Sequence, residues 1–159
     1  MAAARDIEDL YRRRQNAFVN GVAPIAGGYE QARDAVQEAF ARALRKRRSH
    51  RGEGSLEAWV WRIAIRAALD LRRNGRELPL DAALDDVGLP EPERDPQLAE
   101  ALAMLPPRRR LIVFLRYFAD LSYADIARVC EIDEGTVAAA LAQARARLAE
   151  TVDREGARR

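Results

Sequence analysis

The chain is poor in the residues that mark secreted, metal-binding or membrane proteins: one cysteine, one histidine and 6% aromatics among 159 residues. One cysteine excludes an internal disulfide, and Cys130 falls on the apolar face of a helix, where burial is expected. His50 and a single distant cysteine cannot assemble a zinc site, so neither a metal nor any other cofactor is expected. No apolar run approaches the roughly 20 residues of a membrane-spanning helix. The opening residues, Met1 to Asp6, lack the apolar segment of a signal peptide, and a cytoplasmic location is the expectation. There is no glycine-rich phosphate loop and no nucleophile–histidine pairing, so an enzyme is not expected. No alternating strand pattern exceeds four residues.

What is present is helical periodicity and patterned charge. Nearly half the residues are apolar (48%), enough for a folded core, and the net charge is only +2. That small value conceals opposite segments. Residues 1–76 carry 16 basic and 9 acidic side chains, residues 77–96 carry 1 and 7, and residues 97–159 carry 10 and 9. A basic N-terminal half suits a polyanionic partner. The acidic segment also holds Pro79, Pro90, Pro92 and Pro96, four of the seven prolines. Proline interrupts helices and like charges extend a chain, so 77–96 reads as a linker, with at most a short helical turn over Leu80–Val87. The expected fold is all-α: two small helical domains, 1–76 and 97–159, joined by an acidic proline-rich linker, the second containing a helix-turn-helix.

In the first domain, Ile7, Leu10, Tyr11, Arg14 and Phe18 mark one helix, which Gly27-Gly28 breaks. A second runs from Glu30 to about Lys46, with Val36, Ala39, Phe40, Ala43 and Leu44 on one face. Ser55 can cap a third, Leu56 to about Arg73, with Leu56, Val60, Ile63, Ala64, Ala67 and Leu71 as its core stripe. Trp59 flanks that stripe. Trp61 and Ile65 fall on another side, and Arg62, Arg66 and Arg73 share a narrow sector at 3.6 residues per turn. Arginines beside an exposed aromatic suit single-stranded DNA, through phosphate pairing and base stacking. In the second domain Gln97–Leu105 is a short helix. Pro107 is placed to open the next, whose apolar residues include Leu111, Val113, Phe114, Leu115 and Phe118.

The segment Leu121 to Val137 is the most informative. Ser122 followed by Asp125 is a capping-box pattern. Ile126, Ala127 and Cys130 form an apolar face, and Ala127 is small enough for closely crossing helices. A turn over Glu131–Asp133 leads into a helix on which Val137, Ala140, Leu141, Ala144 and Leu148 repeat at helical spacing. Helix-turn-helix geometry of this kind delivers a helix to the DNA major groove.

Three blocks in order carry a family resemblance: Asp34-Ala-Val-Gln-Glu-Ala-Phe40, Arg51-Gly-Glu-Gly-Ser-Leu-Glu-Ala-Trp-Val-Trp-Arg-Ile-Ala64, and Leu105-Pro-Pro-Arg108 with Leu115-Arg-Tyr117, Leu121 to Ala127 and Glu134-Gly-Thr-Val137. Over nearly its whole length the chain resembles an extracytoplasmic-function (ECF) sigma factor of the sigma-70-like family, with regions 2 and 4. The resemblance implies a transcription initiation factor without catalytic residues. Its partners would be core RNA polymerase, promoter DNA and an anti-sigma factor. It implies that Asp34, Gln37 and Glu38 meet the polymerase clamp, and that Arg51, Trp61, Arg62, Arg66 and Arg73 serve the −10 element. For the −35 element it implies Arg116, Arg128, Glu134, Gly135, Thr136, Ala138, Ala139, Ala142, Gln143 and Arg145.

Two departures from the family fall on DNA-reading positions. Arg66 stands where asparagine is typical, and cannot copy the amide's paired donor and acceptor. After Gly-Thr-Val the family usually continues with lysine, serine or arginine; here Ala138, Ala139, Ala142 and Ala146 accompany Gln143 on the outward face. Phosphate attraction would then fall to Arg108–Arg110, Arg116, Arg128 or Arg145. Glu131 also occupies a turn position that often prefers glycine with positive φ, at a cost of about 1 kcal/mol. The alternative reading is a sigma-like interaction protein, a decoy or anti-sigma-binding regulator that reads DNA weakly.

Overall fold

The computed structural model describes residues 2–73 and 96–157. The described residues form seven α-helices and no strand: α1 Ala4–Ala26, α2 Tyr29–Arg45, α3 Leu56–Arg73, α4 Pro96–Ala103, α5 Pro107–Tyr117, α6 Tyr123–Cys130 and α7 Glu134–Gly156, with a short 3-10 turn at Arg47–Ser49. The segment expected to be an acidic linker, with its short turn over 80–87, lies outside the described residues apart from Pro96.

Local chemistry sets the boundaries. Gly27 ends α1 in the left-handed conformation (φ 97°), where its N–H donates to the Ala23 carbonyl; a residue with a Cβ is disfavoured there. Ser55 caps α3, its Oγ accepting from the Ala58 N–H at 3.1 Å, and Pro107 occupies the first turn of α5, where a missing N–H costs nothing. Ser122 caps α6 by accepting from the Asp125 N–H at 3.1 Å. The Asp125 carboxylate turns outward from its own helix: its Oδ1 accepts from the backbone N–H of Ser55, 70 residues earlier in sequence, at 3.2 Å.

Helices α1, α2 and α3 pack around Phe18, Val22, Val36, Phe40, Val60 and Ala64, all buried. Phe18 meets Phe40 edge-on at 5.2 Å and stacks on Trp61 at 4.1 Å. The core does not stop there. Trp61 meets Phe114 of α5 edge-on at 5.6 Å, and the buried apolar residues of α5 and α6 belong to the same contiguous cluster as those of α1–α3. The two helical groups therefore share one core.

That sharing corrects the reading of α3. Trp61 and Ile65, expected on an exposed side, are 1% and 2% exposed. One side of α3 packs on α1 and α2, and a second is covered by α5 and α6, which arrive from beyond residue 96. No periodicity within α3 reports a cover supplied from so far along the chain. Two residues expected in the core err the other way: Leu71 and Phe118 are 50% and 49% exposed. Phe118 stacks on Phe114 at 4.8 Å at the margin of the seam.

Gly21 marks how close the seam is. It lies inside α1, and a Cβ there would fall 2.5 Å from the Phe114 ring and 2.7 Å from Trp61. Glycine inside a helix costs roughly 0.5–1 kcal/mol relative to alanine; here it admits an aromatic ring from the other group.

Candidate nucleic-acid and polymerase surfaces

The free face of α2 is built by the period of its core. With Ala32, Ala35, Val36, Ala39, Phe40 and Ala43 buried, Asp34, Gln37 and Glu38 are left exposed. Glu38 accepts from Arg42 Nε at 2.8 Å and from Arg45 Nη2 at 3.2 Å. The Arg42 hydrogen bond is the main reason its carboxyl is held below the ordinary glutamate range. Asp34 and Gln37 flank this pair on the same surface.

On α3, Arg62 and Arg66 converge on one carboxylate. Arg62 Nη2 donates to Glu131 Oε1 at 2.9 Å, and Arg66 Nη2 donates to Glu131 Oε2 at 2.6 Å. Glu131 ends α6 in the left-handed conformation (φ 58°) expected at that turn. The backbone there points the side chain across the seam. Arg51 is exposed in the preceding loop. Arg73 ends α3, and its side chain is outside the described residues. Gly54 lets that loop lie on α6: a Cβ there would meet Arg128 Nη1 at 2.6 Å and Asp125 Oδ1 at 2.7 Å. Arg128 itself donates to Asp125 Oδ1 at 3.3 Å. A cleft of about 460 Å³ opens along this seam, lined by His50, Arg51, Trp59, Arg62, Arg128 and Glu131 among others.

Magnitudes separate the two kinds of contact across the seam. Burying a large apolar side chain contributes about 1.5–3 kcal/mol, whereas an exposed ion pair contributes about 0–1 kcal/mol. Trp61 is fully buried, while Glu131 and Arg62 are about half exposed. The shared apolar cluster therefore supplies most of the adhesion, and the Glu131 pairs fix which polar faces meet.

The helix-turn-helix comprises α6 and α7. Val137, Ala140, Leu141 and Ala144 are buried, as their spacing predicts. Asp133 caps α7: its Oδ1 accepts from the Thr136 N–H at 3.2 Å and from the Thr136 hydroxyl at 2.8 Å, and the hydroxyl bond is the leading cause of its lowered pKa. Glu134, Gly135, Ala138, Ala139, Ala142 and Gln143 are exposed along the outer face. Two arginines beside the motif are engaged. Arg145 donates to the Tyr117 hydroxyl at 2.7 Å and the Tyr123 hydroxyl at 3.3 Å, while Arg116 donates to the Leu121 carbonyl at 3.0 Å and lies over the Tyr123 ring.

The structure thus brings Arg62 and Arg66 together, and keeps Asp34, Gln37 and Glu38 on a separate face. Sequence reasoning missed Gly21, Gly54, Phe114 and Asp125 as seam residues. The available signals were weak ones: a glycine inside a helix, and a glutamate where the turn favours glycine.

Comparison with known proteins agrees with this architecture. Sigma-70 region 2 matches residues 5–77, and Sigma-70, region 4 matches residues 96–148. The chain is 34% identical over 148 residues to the ECF RNA polymerase sigma factor SigM of Mycobacterium tuberculosis, covering 89% of this chain and 74% of SigM. It is 33% identical over 160 residues to the RNA polymerase sigma-H factor of Pseudomonas aeruginosa, covering 89% and 83%. Among solved structures, the sigma factor RpoE in complex with the anti-sigma factor NepR from Bartonella quintana superposes with a TM-score of 0.67 at 23% identity, over 94% of this chain and 98% of that one. CnrH in complex with the cytosolic domain of CnrY gives 0.67 at 22% identity, over 96% and 90%. Two sigma-70 regions in order, relatives of this identity and coverage, and an all-helical fold of the same kind together establish that the chain belongs to the ECF family of RNA polymerase sigma factors, which direct the polymerase to promoters.

Proposed function

We propose how this sigma factor divides its work between surfaces. Residues 1–76 form the module that docks on the polymerase and serves the −10 element, 97–159 form the −35 module, and 77–96 join them. The polymerase contact is the exposed face of α2 bearing Asp34, Gln37 and Glu38. The observation that carries it is the separation of faces: these polar groups point away from the α1–α3 core while Ala35, Val36 and Ala39 beneath them are buried. Arg51, Arg62, Arg66 and Arg73 serve the −10 strand, with Trp61 behind them. On the −35 side Glu134, Gly135, Thr136, Ala138, Ala139, Ala142 and Gln143 meet the groove, and Arg116, Arg128 and Arg145 supply charge. The chain acts without catalytic residues, in the cytoplasm, and an anti-sigma factor is its regulatory partner. In support, no helix among the described residues is long and apolar enough to cross a membrane.

A second reading, a sigma-like protein that binds polymerase but reads DNA poorly, is favoured by the alanines exposed on α7. Reconstitution with core polymerase on genomic promoter fragments separates the two. Specific transcripts support the initiation factor; polymerase binding without transcripts supports the decoy.

A further inference from the structure

We propose that Tyr117 and Tyr123 are positioning residues for the −35 contact: their hydroxyls hold the Arg145 guanidinium in place without cancelling its charge, as an anchor for a DNA backbone phosphate at the edge of the alanine face of α7. The inference rests on the reading that α7 meets the −35 element. Three helices build the cluster: Tyr117 ends α5, Tyr123 opens α6 and Arg145 lies on α7. Arg145 Nε donates to the Tyr117 hydroxyl at 2.7 Å, and Nη2 donates to the Tyr123 hydroxyl at 3.3 Å. Ala138, Ala142 and Arg145 follow one another at helical spacing, and all three are exposed. The guanidinium therefore continues the outer face of the helix.

The nature of its partners decides what such an arginine can do. Arg62 and Arg66 are held by Glu131, Arg128 by Asp125 and Arg42 by Glu38. A carboxylate fixes a guanidinium and offsets its charge at once. A phenol oxygen accepts the same hydrogen bond and stays neutral. Among the described residues Arg145 is held by phenols alone. Arg116 follows the same pattern: it donates to the Leu121 carbonyl at 3.0 Å, and its guanidinium lies 5.4 Å from the Tyr123 ring centroid. Tyr123 thus orders one cation at its hydroxyl and a second over its ring, with no carboxylate taking up either charge. A phosphodiester fits this arrangement, since phosphate contacts set register and carry no base information. Where alanine methyls give little base discrimination, anchors fixed before binding supply the affinity.

The test uses the full chain and a labelled mixed-sequence duplex. Fluorescence anisotropy reads binding at several salt concentrations, and circular dichroism confirms folding. Arg145→Ala should weaken binding and flatten the slope of log affinity against log salt by about one, the loss of one phosphate contact. Tyr117→Phe with Tyr123→Phe keeps both rings and every charge. That pair should weaken binding about two- to tenfold, the scale of ordering one long side chain on association. In the Arg145→Ala background the same pair should cost nothing further, because the hydroxyls act through that guanidinium alone. An unchanged salt slope in Arg145→Ala, a phenylalanine pair that binds as tightly as the parent, or a loss that persists without Arg145 each overturn the proposal. Ala139→Asp tests the reading beneath it by placing a negative charge on the outer face of α7. If Ala139→Asp weakens binding while the phenylalanine pair does not, the positioning role alone falls. If neither weakens it, α7 is not the DNA surface and both fall.

Discussion

Single residues decide how close the helical groups come. Gly21 is the sharpest case. Alanine at this position would gain the helix propensity that glycine lacks, about 0.5–1 kcal/mol, and in an open site Gly21→Ala would stabilise. Here the added Cβ lies 2.5 Å from the Phe114 ring, and overpacking typically costs about 1–3 kcal/mol. The net expectation is destabilisation of the closed form, seen as a lower midpoint in urea unfolding; a raised midpoint would show that Phe114 yields freely. Ser122→Ala removes the hydroxyl that accepts from the Asp125 N–H and should cost about 1 kcal/mol, the usual loss for such a cap, measurable in the same titration.

At the same scale, Glu38 gives a pH signature. Its folded pKa lies below the ordinary value, chiefly through the Arg42 hydrogen bond. A depressed carboxylate contributes stability that is fully present above its unfolded pKa and is lost as pH falls through the folded one. Its NMR titration midpoint should therefore lie below that of a free glutamate and return toward it in Arg42→Ala. An unshifted midpoint in the parent would show that the pair does not persist in solution.

Among the elements, α2 and α7 present opposite problems. The exposed face of α2 is rich in groups for a protein partner. Replacing Asp34, Gln37 and Glu38 together by alanine should weaken the complex with core polymerase while leaving helical content unchanged; undiminished affinity in a pull-down would remove the docking role from α2. The exposed face of α7 offers alanine methyls and Gln143. A bidentate side-chain pair gives about 1–3 kcal/mol of base discrimination, and methyl groups give little. In the reconstituted holoenzyme, single base changes across the −35 element should each alter promoter binding only slightly, and salt should weaken it steeply. A strong loss at one base pair would show that this smooth helix reads sequence.

Helix existence and limits were legible because amphipathic periods and caps are local. Ser55, Pro107, Ser122 and the Gly27 break act within a few residues of themselves, and α3 spans the residues its sequence period indicates. The face of α3 carrying Trp61 and Ile65 was not legible, since its cover is divided between Phe18 of α1 and residues that arrive on α5 and α6. For the same reason the polar groups of α3 and α6 could be identified from sequence as candidates, but their mutual pairing could not. Arg66 and Glu131 each look anomalous alone, and only the fold brings them within a hydrogen bond.

At the scale of the whole molecule, the described aromatics form a relay from one helical group into the other: Tyr11 on Phe40, Phe40 on Phe18, Phe18 on Trp61, Trp61 on Phe114, and Phe114 on Phe118. Trp61 is the only indole in that series, because Trp59 lies against His50 instead. The molecule therefore carries an optical gauge of its own state. In the docked arrangement the Trp61 indole is dry and emits toward the blue; separation of the helical groups wets one edge and moves its emission to longer wavelength. With Trp59→Phe leaving a single emitter, titration with polymerase or a DNA strand can be followed without any attached dye.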